Sequence, residues 1–421
     1  MGALRLNIPS SSPALTFVRN RQRKFLYAGL SSILLLVLWG TLLLVFDAPY
    51  GTLGQGIGSS DGASLEAVRN QTLGFERIFC INLPSRTDKR DAIVLGSSIT
   101  QFRVDWVDGV SSEDMSPKAY PPRFDEADRP RMLPGEIGSW RAHVNAMQRI
   151  VAERLSTALI LEDDVDWDVT LKTQLHDFAQ GALALQPKPH STHNRPPHSS
   201  SSSPYGTEWD LLWLGHCGMK CQRNTPFYIM KNDPTSVPAY ALPQYWAGPA
   251  IHPLVDNIKH NRIICKSTLA VCSSAYAVTF HAAQKILAAL SVAPSEESMP
   301  AGESVVFDVM LGRLCERGYL RCVSSYPSVM GNWKGAGLPS KGSDIQYRYD
   351  GPREQRVYEG ASFQGVVYSV MDNLGELLGG ERVVRASVRD VMKPVLELGA
   401  VKGVKGKLHV LDYEEMVLSG V

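Results

Sequence analysis

Five carboxylates, Glu162, Asp163, Asp164, Asp166 and Asp168, fall directly after the apolar run Ala158-Leu159-Ile160-Leu161. Like charges this dense repel, and burying one without a partner is costly. A hard divalent cation relieves that cost, because Mg²⁺ and Mn²⁺ take carboxylate oxygens and keep positions open for a substrate's phosphates. The apolar run reads as a buried strand, and the C-terminal ends of strands are where α/β sheets bind ligands. A second group, Asn82-Leu83-Pro84-Ser85-Arg86-Thr87-Asp88-Lys89-Arg90, follows another short apolar strand, and Arg86 and Arg90 suit a phosphate or carboxylate clamp. Glu136 opens a predicted helix, with His143 seven residues on along the same face. Asp308 stands among Val305, Val306, Phe307, Val309 and Met310; a carboxyl buried there has a raised pKa and suits general-base work.

Each group has a plainer counterpart: a solvated acidic turn, a charged helix start, a glutamate complementing a helix dipole, a helix N-cap. The strand running straight into the acids favours a site. A calcium loop beginning at Asp164 fails, because Val169 stands where glycine is needed and Leu175 where a bidentate glutamate is needed. Asp166-Trp167-Asp168-Val169-Thr170 fits the Asp-x-Asp-x-Thr pattern of Asp-based phosphatases. That chemistry needs its nucleophile at the strand end, and the apolar run stops at Leu161.

The elements that must position these residues alternate. Strands are predicted at 77–83, 102–107, 158–161, 209–214 and 275–279, and helices at 136–155 and 282–290. This implies an α/β fold whose largely parallel sheet is covered by helices. The spacing allows an amphipathic helix at 367–378 and a strand at 407–411. The low-complexity stretch 187–206 is too poor in apolar residues to order itself and reads as a disordered insertion.

Residues 26–46 carry no charge and are about as long as a hydrocarbon core is thick. Arg19, Arg21, Arg23 and Lys24 precede them and Asp47 follows, so residues 1–25 are expected in the cytosol and the rest in the lumen. The apolar run is longer than that of a signal peptide, and Asp47-Ala48-Pro49 is a poor cleavage site, which favours an uncleaved type II anchor. The sequon Asn70-Gln71-Thr72 fits a lumenal setting. Residues 47–72 read as a Gly/Ser/Ala-rich stem, 73–345 as the globular domain and 346–421 as an extension with no assigned role. Of seven cysteines, Cys80 lies inside a strand and is the expected free thiol. Cys217, Cys221, Cys265, Cys272, Cys315 and Cys322 are expected to form three disulfides in any of fifteen pairings. Cys217-x-x-x-Cys221 lacks the second pair a zinc site requires. A net charge of +1 without a basic stripe gives no reason to expect nucleic acid as a partner.

Taken together, the Ile-Asn-Leu-x-x-Arg-x-Asp-x-Arg opening at Ile81, the Gly135-Glu136-Ile137-Gly138 helix start with His143, and the Leu161-Glu162-Asp163-Asp164-Val165 strand end resemble glycosyltransferase family 25, which groups lipo-oligosaccharide and collagen galactosyltransferases. Residues 209–215, Ser274-Ala275-Tyr276-Ala277-Val278 and Phe307-Asp308 match the later part of its pattern. Ser139 and Ala142 stand where members often carry Cys and Ser. The resemblance spans about residues 75–330. It implies a GT-A-like (Rossmann-like) fold, a UDP-sugar donor such as UDP-galactose, a glycan or glycoprotein acceptor, and Mn²⁺ or Mg²⁺. It implies Asp164 as metal ligand with Asp166 as a second, and Glu162 and Asp163 at the donor. Asn82, Arg86, Arg90 and His143 would hold the nucleotide end. Inversion at the anomeric carbon needs a base, for which Asp308 is the first candidate and Glu136 the rival. A short-tailed type II anchor suits the Golgi or endoplasmic reticulum. A non-catalytic lumenal glycan binder with the same fold is the alternative.

Overall fold

A computed structural model describes residues 65–125, 127, 130–187, 203–242, 260–296, 298–337, 343–345 and 361–409. The chain divides between Gly58 and Ser59, and all of these residues belong to the second unit. The 26–46 segment, most of the stem, residues 188–202 of the insertion and the 346–360 part of the extension lie outside the described residues. Among the described residues no helix is long and apolar enough to cross a membrane.

The elements follow one another as β1 (Arg77–Asn82), α1 (Thr87–Thr100), β2 (Asp105–Asp108), α2 (Pro134–Glu153), β3 (Thr157–Glu162), β4 (Val165–Trp167), α3 (Leu171–Ala184), β5 (Leu211–Gly215), β6 (Gly218–Cys221), β7 (Phe227–Met230), β8 (Arg262–Val271), β9 (Ala275–Thr279), α4 (Phe280–Leu287), α5 (Phe307–Glu316), β10 (Cys322–Tyr326), β11 (Met330–Lys334), β12 (Ser362–Gln364), α6 (Leu374–Leu378), β13 (Val383–Arg385), β14 (Val395–Glu397) and β15 (Lys407–His409). Ten strands form the main sheet in the order β15-β7-β8-β10-β5-β9-β3-β1-β2, with β6 paired to β8. The strands β8, β9 and β15 run against the rest. A three-stranded sheet, β12-β11-β4, stands beside it.

Alternation along β3 shows why the central strands read as continuous apolar runs. Ala158 and Ile160 join a core with Phe79, Trp140, Trp213 and Phe307, while Leu159 and Leu161 join a second core with Cys80, Ile93, Trp167 and Phe178. Helices cover both faces, so neither set meets water. Register then brings the site to one edge. Asn82 pairs with Asp108 and Ile81 with Glu162, so β1, β2 and β3 end together. Because β9 is antiparallel to β3, its start delivers Ser273 and Ser274 to that same edge.

The glycines of the α2 start have a packing reason. A Cβ on Gly138 would run into the Val110 carbonyl, and one on Gly135 into the backbone of Asp344 and Ile345. The helix therefore packs its backbone directly on the loop after β2.

Packing extends beyond the expected boundaries. Val68, within the expected stem, is fully buried, so part of the chain assigned to a linker by composition belongs to the core. Tyr205, at the end of the insertion, stacks on Phe75 at 4.6 Å and its hydroxyl donates to the Leu73 carbonyl. Among the described residues of the extension only Leu374–Leu378 is helical, and Val367, Tyr368 and Val370, expected in the same helix, are buried in the core outside it. The strand expected at 407–411 is Lys407–His409, an added edge on β7. The cysteines pair as Cys217–Cys272, Cys221–Cys265 and Cys315–Cys322, with Cys80 free and buried.

Candidate active site

The acidic turn after β3 separates its carboxylates by environment. Glu162 points toward α2, where its Oε1 accepts from Ser273 Oγ at 2.7 Å and lies 3.4 Å from His143 Nε2. Burial pushes its carboxyl up, but His143, Ser273 and Lys89 outweigh burial and hold it below the ordinary value. His143 is itself fixed, with Nδ1 2.9 Å from the Tyr276 hydroxyl and its ring stacked on Phe307 at 4.5 Å. Asp163 accepts from Lys89 Nζ at 2.7 Å and from Asn82 Nδ2 at 2.9 Å. Burial still raises its pKa. Asp164 accepts from Asn332 Nδ2 at 3.2 Å, and Lys89 lies 3.9 Å away. Burial, with Glu162 and Asp163 close by, pushes the Asp164 carboxyl up to about 6. Burial works against the Lys89 ammonium, yet Asp164 and Asp163 outweigh it and push its pKa up to about 12.

Arg86, at the start of α1, pairs with Asp88 and Asp344, and Lys89 is 3.3 Å from the same Asp344. Two cavities meet at this cluster. One of about 280 Å³ runs from Ile81, Leu83 and Gly109 to His143, Glu162 and Asp164. The other, of about 260 Å³, is lined by Arg86, Trp333 and Lys334. Lys89 and Asp164 border both.

The sequence-predicted residues divide accordingly. Asn82, Arg86, His143, Glu162, Asp163 and Asp164 come together. Asn82 Oδ1 is a buried acceptor with no hydrogen-bond partner among the described residues. Arg90 lies over the Trp106 ring at 4.3 Å and lines neither cavity. Glu136 closes its own helix, accepting from the Leu133 amide at 2.7 Å. Asp308, in the first turn of α5, is partly exposed, and its Oδ2 accepts from the Cys272 amide at 2.7 Å. Burial raises its carboxyl.

Asp166 is placed differently from the expected second ligand. It has no exposure, and it accepts from the Trp167 amide and from Ser369 Oγ. Strand β4 turns it inward beneath the turn that leaves Asp164 open, and burial pushes it up to about 7. Asp168 is equally buried, holding Thr170 and the Tyr368 amide, so the Asp-x-Asp-x-Thr pattern has no accessible nucleophile.

Lys89, Ser273, Asn332 and Asp344 are members of the site that the sequence reading missed. Lys89 carried a signal, since three residues after Arg86 on a helix it shares that residue's face. Asp344 carried none, because only the fold brings it across to α1.

A metal finds a partial donor set. Asp163 is engaged by Lys89 and Asn82, and Asp166 is enclosed, which leaves Asp164 with Glu162 beside it on the cavity wall. Among the described residues no group of three or more His, Cys, Asp and Glu side chains is arranged to hold an ion. Ions of the Mg²⁺ type are held by one or two carboxylates plus substrate phosphates. These residues fit an ion that arrives with a diphosphate.

The chain is similar to procollagen galactosyltransferases. Procollagen galactosyltransferase 1 of Danio rerio is 25% identical over 168 residues, covering 38% of this chain and 24% of the relative. Procollagen galactosyltransferase 2 of Mus musculus is 30% identical over 156 residues, 35% of this chain and 22% of the relative. The inactive glycosyltransferase 25 family member 3 of Homo sapiens is 22% identical over 165 residues, 37% and 24% of the two chains. The chain thus spans about a quarter of the length of the curated relatives it matches. No family model matches it.

Proposed function

We propose that this protein is an inverting glycosyltransferase that moves a sugar, galactose first among candidates, from a UDP-sugar to a hydroxyl of a glycan or glycoprotein. The observation that carries the reading is the meeting of Glu162, Asp163 and Asp164 with Lys89 and Arg86 at the strand-end edge, beside a cavity of about 280 Å³. The similarity to galactosyltransferases supports it.

Ile81, Leu83 and Gly109 would receive the nucleoside, and the free Asn82 acceptor would take one of its donors. Lys89 and Arg86 would exchange Asp344 for the diphosphate. Asp164 would hold a divalent ion, which would supply charge neutralisation for the departing UDP. The acceptor oxygen forms its bond to the anomeric carbon as the bond to the diphosphate oxygen breaks, its electron pair leaving with UDP. Asp308 takes the hydroxyl proton, a task suited to a carboxyl raised by burial. Glu136, engaged in its own helix cap, is the weaker choice. The proposed setting is the Golgi or endoplasmic reticulum lumen, with residues 26–46 as the anchor. Three disulfides are in keeping with an oxidising compartment.

The test is UDP release by the purified protein across a panel of UDP-sugars and acceptor glycans, with and without Mn²⁺. Release from one donor, lost in Asp164→Asn while the variant keeps its fold, is the expected result. Full activity in that variant would sink the assignment. A second reading, a non-catalytic binder, is favoured by the similarity to a relative named inactive. It predicts UDP binding by calorimetry with no turnover of any donor.

A further inference from the structure

The three residues leading into β9, Cys272-Ser273-Ser274, each hold a different part of the site. The Cys272 amide donates to Asp308 Oδ2 at 2.7 Å. Ser273 Oγ donates to Glu162 Oε1 at 2.7 Å. Ser274 Oγ donates to Asn332 Oδ1 at 3.0 Å, and Asn332 Nδ2 donates onward to Asp164 at 3.2 Å. The Ser274 carbonyl also accepts the Glu162 amide at 2.9 Å. The candidate base, the candidate metal ligand and the glutamate of the acidic turn therefore hang on one short stretch of backbone.

That stretch starts from a conformation needing outside support. Cys272 has φ of 63°, in the left-handed region that a non-glycine residue holds only where its surroundings fix it. The bond to Cys217 ties it from one side, and Trp213 Nε1 donates to its carbonyl at 2.8 Å from another. Neither other disulfide has this relation to the site. Cys221–Cys265 joins β6 to β8, and Cys315–Cys322 joins the end of α5 to β10.

We propose that the Cys217–Cys272 disulfide is a positioning device for the reaction, holding the 272–274 backbone so that the Asp308, Glu162 and Asp164 carboxylates keep their mutual geometry. The inference rests on the transferase reading. Without the tether, Cys272 relaxes toward negative φ, which turns its amide away from Asp308 and shifts the two serines off Glu162 and Asn332. Cys217 and Cys272 touch no reacting atom in this scheme, so their loss acts through the three carboxylates, on turnover through Asp308 and on donor binding through Glu162 and Asp164.

The experiment compares full-length wild type, Cys217→Ala/Cys272→Ala and Cys221→Ala/Cys265→Ala by steady-state kinetics and thermal melting. The two disulfides close comparable separations of 55 and 44 residues, so the second variant reports what losing a disulfide does to stability alone. In the first variant kcat should fall at least about tenfold, a larger factor than any rise in donor KM, since small misplacement of reacting groups costs turnover. The second variant should melt lower yet keep kcat. Equal kcat losses in both variants, or wild-type kcat in the first, overturn the proposal. If the alanine pair does not fold, Cys217→Ser with Cys272 retained replaces it, because it removes the tether without changing the residue at positive φ; wild-type kcat there overturns the proposal too. A wild-type chain that turns over no donor defeats the transferase reading itself, and the inference with it.

Discussion

The Lys89 ammonium lies 2.7 Å from Asp163 Oδ1 and 3.9 Å from Asp164 Oδ2, a cation built into the acidic turn by a different helix. Both partners of the closer pair are about nine-tenths buried. Removing one partner of such a pair leaves an uncompensated charge and costs about 3–5 kcal/mol. Lys89→Met should therefore lower the unfolding free energy by about 3 kcal/mol at pH 7.5. Burial raises the Asp163 carboxyl, so the loss should shrink as pH falls and Asp163 takes up a proton, and Asp163→Asn should recover most of it. Urea titrations of the two single variants and the double variant measure this. Unchanged stability in Lys89→Met would mean the pair contributes nothing.

His216 gives a pH dependence of definite sign. Its Nε2 donates to the Ser325 carbonyl at 2.8 Å, Nδ1 is buried with no hydrogen-bond partner among the described residues, and burial lowers its pKa to about 4. The unfolded chain, with an ordinary histidine near 6.5, binds the proton first. Between these values the unfolded state holds more protons, so stability drops as pH falls from about 6.5 to 4, by at most about 3 kcal/mol. His216→Gln should flatten that part of the urea midpoint against pH. An undiminished slope would assign it to other groups.

Gly138 is predicted to couple stability to donor binding. Adding a methyl forces α2 away from the Val110 carbonyl, and overpacking of this kind costs about 1–3 kcal/mol. Val110 and Gly109 line the larger cavity, so Gly138→Ala should raise donor KM more than it lowers kcat. A loss of stability with KM unchanged would detach this loop from the donor.

Cys80 should be silent. It is fully buried, and burial, with Asp163 and Asp164 near, raises its thiol well above the ordinary range. A thiol reagent should find no reactive group in the native described domain and one after denaturation. Reaction at a native rate typical of an exposed thiol would place Cys80 elsewhere.

Much of the layout was legible in the chain. The runs within 77–82, 157–162 and 275–279 are apolar on both faces and short, which suits strands between two helical layers. The helix predicted at 136–155 announced itself by its period and runs over Pro134–Glu153 in the fold. The acidic turn was equally plain, because local sequence alone puts Glu162, Asp163 and Asp164 at a strand end. The long β8 was not legible: its apolar residues are interrupted by Lys266 and Ser267, and its pairing to β6, β7 and β10 comes from chain far away.

The sequence by itself determined which residues could bear charge at this edge and which strands lead to it, since both depend on near neighbours and period. Only the tertiary structure decided which carboxylate is open and which is enclosed. Asp164 and Asp166 are two residues apart and of one type, yet Asp164 faces a cavity while Asp166 is sealed against Ser369, more than two hundred residues along the chain. The fate of a carboxylate is set by burial and by its partners, and here those partners, Lys89, Asn332 and Ser369, arrive from three distant segments.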